Sequence, residues 1–314
     1  MEMRSITRMS NLMLEIRPNP SCDYHRVVLP FKYANIQPKV PVYVFNRIPS
    51  ASRSNLQQLK KLGVKIICDV DDYWHLDPAH YLADSFRRSG MTQRIIDAIS
   101  VADVVTVTTP YLASRVREYN RRVVVIPNAL PFDSDQFCRS PEKTSGRYFV
   151  WAGGASHRHD LKILSGLYAD ITIAGYNPHD SEWVRVKEGS PGAEVIEEKP
   201  NTQYMSVYDT HRVALAPLID SMFNGCKSNL KILEAGAKGI PIITSSVSPY
   251  LNHVDKGMVF YAASRAEWVE QMRRLKDNPN LAEDAGERLA EHVRLNYHLN
   301  DANEIRRQVI ESFS

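Results

Sequence analysis

Short apolar runs alternate along this chain with stretches in which apolar residues recur every three or four positions. That is the pattern of parallel sheets covered by helices. In the first half, the runs at 12–16, 42–45, 65–70, 104–108 and 123–126 predict strands, with helices over 54–62, 93–100 and 111–119 between them. From Asn128 to Arg147 the sequence turns polar and proline-rich, marked by Pro131, Asp133, Asp135, Pro141 and Gly146, and predicts a linker. The pattern then restarts. Strands are expected at 148–152, 171–174, 194–196, 213–217, 240–244 and 258–261, and helices at 161–168, 227–238, 267–276 and 281–297. A last amphipathic segment, 302–313, is expected to cross back to the first half. The predicted fold is α/β with two Rossmann-like units facing a cleft. One unit spans 1–130 with the helix in 300–314 returning to it, a linker spans 131–147, and the second unit spans 148–299.

A length of 314 residues agrees with two units at ~150 residues each. In such sheets ligands bind beyond the carboxyl ends of the strands, where the strand order reverses. Two units facing each other therefore direct attention to the loops after Ile16, Val70, Val107, Trp151, Leu218 and Thr244.

The stretch from Cys226 to Thr244, CKSNLKILEAGAKGIPIIT, is the most informative. Asn224-Gly225 reads as a turn before a helix, and Gly239 with Pro241 ends it. Lys227, Lys231 and Glu234 then share one helical face, while Leu230, Leu233 and Ala237 line another that can pack on the sheet. A helix start at a cleft offers free N–H groups to phosphate oxygens, and Ser228 and Asn229 stand at that start. A lysine there adds charge, and a carboxylate two turns in can accept ribose hydroxyls. The competing reading is a surface helix whose Lys231–Glu234 pair contributes only a few tenths of a kcal/mol. A second turn, Gly153-Gly154 followed by His157 and Arg158, allows close backbone approach to a diphosphate, although Asp160 could equally cap a helix there. Neither G-x-G-x-x-G after a first strand nor G-x-x-x-x-G-K-[ST] is present, which counts against dehydrogenases and P-loop NTPases.

The 226–244 stretch resembles the signature of GT-B glycosyltransferases, specifically the large retaining group called family 4. The likeness extends to Ala102–Thr109 (ADVVTVTT), similar to that group's strand ending at the cleft, and to Val125-Ile126-Pro127-Asn128-Ala129, similar to its Pro-Asn linker entry. The resemblance implies that Glu234 binds the donor ribose, and that a nucleotide sugar, UDP-linked, is the co-substrate with no other cofactor. It also implies retention of anomeric configuration. One departure stands out: where many members carry a sugar-contacting Glu eight residues earlier, this chain has Cys226.

In the first half, Asp69, Asp71 and Asp72 with Tyr73, Trp74 and His75 follow the predicted strand at 65–70. They could be read as a metal-binding D-x-D. The nucleotide signature lies in the other half, so holding the acceptor hydroxyl or supplying a base is the better role, with Asp71 or Asp72 as candidates. Crowded carboxylates are expected to raise at least one pKa. The loop at 17–26 contributes Tyr24, His25 and Arg26, with His25 a further catalytic candidate. With the Asp cluster it resembles small glycosyltransferases of bacteria and tailed phages. The aromatic and basic side chains are expected to grip an acceptor base or sugar.

Composition narrows the rest. With 43% hydrophobic and 24% charged residues the chain is an ordinary globular one. No run of ~18 apolar residues predicts a membrane helix, and residues 1–11 lack the pattern of a secretory signal, so a cytoplasmic protein is expected, in a host cytoplasm if phage-encoded. Cys22, Cys68, Cys138 and Cys226 show no CxxC spacing; neither a zinc site nor a disulfide framework is expected, and no metal is assigned. Net charge is +3, but residues 1–140 carry 19 Lys/Arg against 13 Asp/Glu (+6), leaving 20 against 23 (−3) for the rest. That split makes hydroxymethylated DNA an acceptor candidate, with Arg4, Arg8, Arg17, Arg26, Arg47, Arg53, Lys60, Lys61, Arg87 and Arg88 as phosphate contacts. Base flipping would then bring a base against Tyr73, Trp74 and His75. A cell-surface glycan or lipid acceptor fits the same split. A sugar-nucleotide epimerase, a phosphorylase or a non-catalytic nucleotide-sugar-binding protein on the same fold are the alternatives.

Overall fold

The structure, a computed structural model, describes residues 5–17, 21–139, 147–251 and 257–313. Arg4, the side chain of Arg8, Pro18, Asn19, Pro20, Ser314 and linker residues 140–146, with Pro141 and Gly146, lie outside them.

The first sheet comprises β1 (Ser5–Met9), β2 (Leu12–Ile16), β3 (Val42–Asn46), β4 (Lys65–Val70), β5 (Val104–Val107) and β6 (Val123–Val125), ordered 1-2-3-4-5-6. β1 is an antiparallel edge strand that the mostly polar pattern of residues 1–11 did not predict; the other neighbours pair in parallel. From β3 onward the strands are joined in sequence order, and crossovers of one hand send their connecting helices to one face. Helices Arg53–Lys61, Met91–Val101 and Pro110–Val116 therefore pack together, burying Leu56, Ile95, Ile99 and Leu112 against Tyr43 and Phe45. The opposite face, carrying Val42 and Val44, needs a separate cover. Residues 21–33 and the returning helix Leu299–Glu311 supply it through Val27, Phe31, Val309 and Ile310, and the Asn303 side-chain amide donates to the Pro30 carbonyl at 3.0 Å.

The second sheet comprises β7 (Phe149–Ala152), β8 (Ile171–Tyr176), β9 (Glu194–Glu197), β10 (Val213–Ala216), β11 (Ile242–Ser245) and β12 (Val259–Ala262), ordered 9-8-7-10-11-12 and parallel throughout. This is the doubly wound order, and its reversal falls between β7 and β10, so the loops after these two strands flank a crevice. Phe132 and Phe137, from the stretch that reads as polar linker, are buried in this half's core.

Two helices differ from expectation. The predicted 161–168 helix shrinks to Arg158–Leu161 and breaks into 3-10 turns at Lys162–Leu164 and Tyr168–Asp170, with Gly166 between them at φ +77°. The predicted 227–238 helix begins only at Leu230 and runs to Ala237, with Gly239 in the left-handed region after it. Lys227 therefore comes off the preceding turn rather than the helix face.

Candidate active site in the interdomain cleft

The two halves enclose a cleft of about 430 Å³, lined by both of them. The second half contributes Gly153, Gly154, His157, Lys227, Ser228, Lys231 and Glu234, all expected from the sequence. The first contributes His25, Arg26, Asp71 and Asp72. Residues some two hundred positions apart thus converge.

The floor on the second-half side forms because β7 and β8 end side by side. Gly175, closing β8 at φ +110°, lies so near the Gly153 carbonyl that a Cβ would come within 2.4 Å of that oxygen. Only glycine keeps this corner flat. Asp160 is not a helix cap. It accepts from the Ile219 backbone N–H and the Asn224 side-chain amide, both at 2.9 Å, and from the His157 ring at 2.8 Å, tying the loops after β7 and β10 together. Burial, reinforced by the charge of Lys227, lowers the His157 pKa. A neutral ring is expected at the cleft wall.

Glu234 is 1% exposed, and yet its surroundings favour the carboxylate form. Burial alone would raise its pKa, but the Lys231 charge, the neighbouring His25, and hydrogen bonds from Lys231 and Tyr208 bring it below its usual value. Lys231 and Tyr208 both donate to Oε2 at 2.8 Å, and Tyr204 donates to Oε1 at 3.0 Å. An ionised carboxylate accepts about four hydrogen bonds, so Oε1 keeps capacity for one more. Tyr204 and Tyr208, on the turn after β9, were invisible to sequence reasoning; no motif marks them.

Across the cleft, residues Tyr24–Val28 form a π-helical turn, a distortion frequent at functional sites. It places the buried His25 with Nε2 3.2 Å from the Tyr204 hydroxyl. Burial pushes the His25 pKa down to about 4, partly opposed by the Glu234 charge. Asp71 is governed by Arg47, a residue sequence analysis assigned only to phosphate contacts. Arg47 sits in the left-handed region (φ +52°) at the end of β3, and its Nε lies 3.2 Å from Asp71 Oδ1. Burial would raise the Asp71 pKa. The Arg47 charge, with hydrogen bonds from Cys22 and Asn46, reverses this and holds Asp71 well below the usual carboxylate range. Asp71 therefore runs opposite to the expected raising by crowding, and is a poor base. Asp72 reaches Arg47 (3.7 Å) and, across the cleft, Lys227 (3.5 Å). Cys22, Asp71 and Asp72 bring ligand-type atoms within 4.8 Å of one another, but the Arg47 guanidinium already supplies positive charge to all three.

Other expected residues have different places. Arg26 and Asp69 form a buried bidentate pair (2.9 and 2.8 Å) that is structural, although Arg26 also borders the cleft. Arg26 also donates to Asn128, whose amide reaches Ser228 of the second half at 2.7 Å. Trp74, expected to stack on an acceptor, is a core residue at 1% exposure; Tyr73 packs beside it and His75 points to solvent, and none of the three lines the cleft. Tyr24 binds Gln136 instead. Arg158 pairs with Glu182 at 3.0 Å, away from the cleft, and Asn229 precedes the Leu230 helix without lining it. Cys226, at the family's Glu position, is buried in the first half's core.

Comparison with known proteins agrees with this architecture. Residues 158–304, a little under half of the chain, match the family model described as "Glycosyl transferase-like". The solved structure of sucrose-phosphate synthase from Thermosynechococcus elongatus superposes with a TM-score of 0.62 at 13% identity, covering 86% of this chain and 73% of that one. A glycosyltransferase from Rickettsia africae gives 0.61 at 12%, covering 93% and 80%. Anabaena HepE, solved with UDP and glucose, gives 0.63 at 11%, covering 86% and 78%. The fold is that of the GT-B glycosyltransferases. No curated protein matches by sequence. Among the described residues no helix is long and apolar enough to cross a membrane.

Proposed function

We propose that this GT-B chain transfers a sugar from a UDP-sugar to an acceptor hydroxyl in the cleft. The observation that carries the reading is the convergence of Lys227, Lys231, Glu234 and the Gly153-Gly154 turn with His25 and Asp72 from the opposite half. In this reading one ribose hydroxyl binds Glu234 Oε1, and the diphosphate lies between the glycine turn, Lys227, Lys231 and the start of the Leu230 helix. Cations and helix N–H groups there stabilise the charge that develops on the leaving group. UDP is the nucleotide of choice because HepE, a structural neighbour, was solved with it. Retention follows the family 4 resemblance: the acceptor attacks on the leaving-group face and the departing phosphate takes its proton. Asp72 orients the acceptor hydroxyl once the diphosphate has drawn Lys227 from it.

The acceptor side of the cleft is rich in carboxylate, which favours a neutral, hydroxylated acceptor such as a glycan or glycolipid headgroup. DNA is the second reading and the weaker one, because two of its ten basic residues, Arg26 and Arg47, are held inward against Asp69 and Asp71 and do not face a duplex. The test is a thermal-shift panel of nucleotide sugars, followed by transfer of labelled sugar to glycan, lipid and hydroxymethylated-duplex acceptors. Stabilisation by UDP-sugars and labelling that is lost in Asp72→Asn are expected. Stabilisation by no nucleotide sugar refutes the reading, and exclusive labelling of duplex restores DNA as acceptor.

A further inference from the structure

A second, smaller cavity of about 20 Å³ lies beneath the first sheet, between it and the returning helix, and shares only Arg26 with the interdomain cleft. It is bordered by Arg26, Asp69, Thr106 and Arg306 and otherwise by apolar side chains such as Phe31, Ile67 and Ile310. Arg306, on helix Leu299–Glu311, is 7% exposed. Its only hydrogen bond among the described residues runs from Nη1 to the Asn303 side-chain oxygen at 3.1 Å, and no carboxylate pairs with it.

Asp69 is close enough to be felt but cannot serve. Its oxygens already accept from Arg26 Nε (2.9 Å), Arg26 Nη2 (2.8 Å), Thr106 Oγ1 (2.6 Å) and Asn46 Nδ2 (3.2 Å), which fills the four acceptor positions of a carboxylate. Two guanidiniums and one carboxylate leave this buried region one positive charge in excess. A guanidinium has five N–H donors and a buried, uncompensated charge is costly. The space matches one water-sized particle.

We propose that this cavity binds a small monovalent anion of halide size, chloride being the available one, held chiefly by the Arg306 guanidinium, with the buried Arg26 lining the opposite side. A phosphate or a nucleotide is too large for it. The anion neutralises the excess charge and fastens the returning helix to the sheet face opposite helices Arg53–Lys61, Met91–Val101 and Pro110–Val116. Through Arg26 and Asn128 it also sits under the contact to Ser228 that joins the two halves.

The experiment compares thermal unfolding of the full chain in sodium chloride and sodium gluconate at matched ionic strength, for wild type and Arg306→Met. A saturable chloride-dependent rise of a few degrees in wild type, absent from Arg306→Met, is expected. Crystals grown in bromide should show an anomalous peak between Arg306 and Arg26, which decides the matter even if Arg306→Met does not fold. Superimposable chloride and gluconate curves, a chloride effect that survives in Arg306→Met, or a water with no anomalous signal at that position each overturn the proposal.

Discussion

Replacing Glu234 by Gln removes one charge and almost no volume from the centre of the proposed donor site. Alanine would be a poorer probe. Tyr208, itself 1% exposed, donates its hydroxyl to Glu234, and leaving that hydroxyl without a partner costs about 1–3 kcal/mol of stability whatever the residue does for ligands. Glutamine keeps a carbonyl acceptor for one tyrosine, so the fold should survive with a lowered melting temperature. A ribose hydroxyl bound to an ionised carboxylate makes a charge-assisted hydrogen bond of roughly 1.5–3 kcal/mol. Its loss corresponds to a roughly ten- to hundredfold weaker Kd. Calorimetric titration of UDP into folded Glu234→Gln and wild type measures this. An unchanged Kd with an intact fold would refute the ribose assignment, and leave Glu234 as the partner of two tyrosines and Lys231.

Lys227→Met should weaken UDP binding about tenfold or more while leaving uridine binding unchanged, because only the phosphates meet that ammonium; equal weakening of both ligands would contradict the phosphate role. Trp74→Ala should destabilise the chain by about 3–5 kcal/mol, as removal of a buried indole from a core does, read from denaturant unfolding; a stable variant with impaired acceptor use would return Trp74 to the site. His25 has a folded pKa pushed down to about 4 against ~6.5 unfolded, so the unfolded chain takes up its proton first as pH falls. Stability should therefore decline between about pH 6.5 and 4 by on the order of 3 kcal/mol on account of this residue, and His25→Gln should flatten that limb. Equal slopes for the two proteins would show that His25 is not buried in its neutral form.

The strand pattern was legible because parallel strands buried on both faces are written as compact apolar runs, as in β3, β4, β5, β7, β10 and β11 among the described strands. β1 was missed because an exposed edge strand needs no apolar run. The Gly153-Gly154 turn and the Lys231–Glu234 helix were legible because backbone constraint and helical spacing are local properties. What surrounds Glu234 was not. Tyr204 and Tyr208 reach it from a turn about thirty residues earlier, and His25 from the opposite half. Burial also separated look-alikes that sequence could not: of the consecutive Asp71, Asp72, Tyr73 and Trp74, the first two line the cleft and the last is core. Arg47 escaped notice as a site residue because nothing in its neighbourhood in sequence shows that a left-handed backbone turns it onto Asp71.

A crystal structure of the full chain with UDP would show whether the donor nucleotide binds between the two halves. Electron density is expected in the cleft between the halves, with a ribose hydroxyl on Glu234 and the diphosphate against Gly153, Gly154, Lys227 and Lys231. The Lys227 ammonium is expected to leave Asp72 for a phosphate oxygen. UDP bound elsewhere, or seated in the cleft with its phosphates away from both lysines and its ribose away from Glu234, would contradict this donor site.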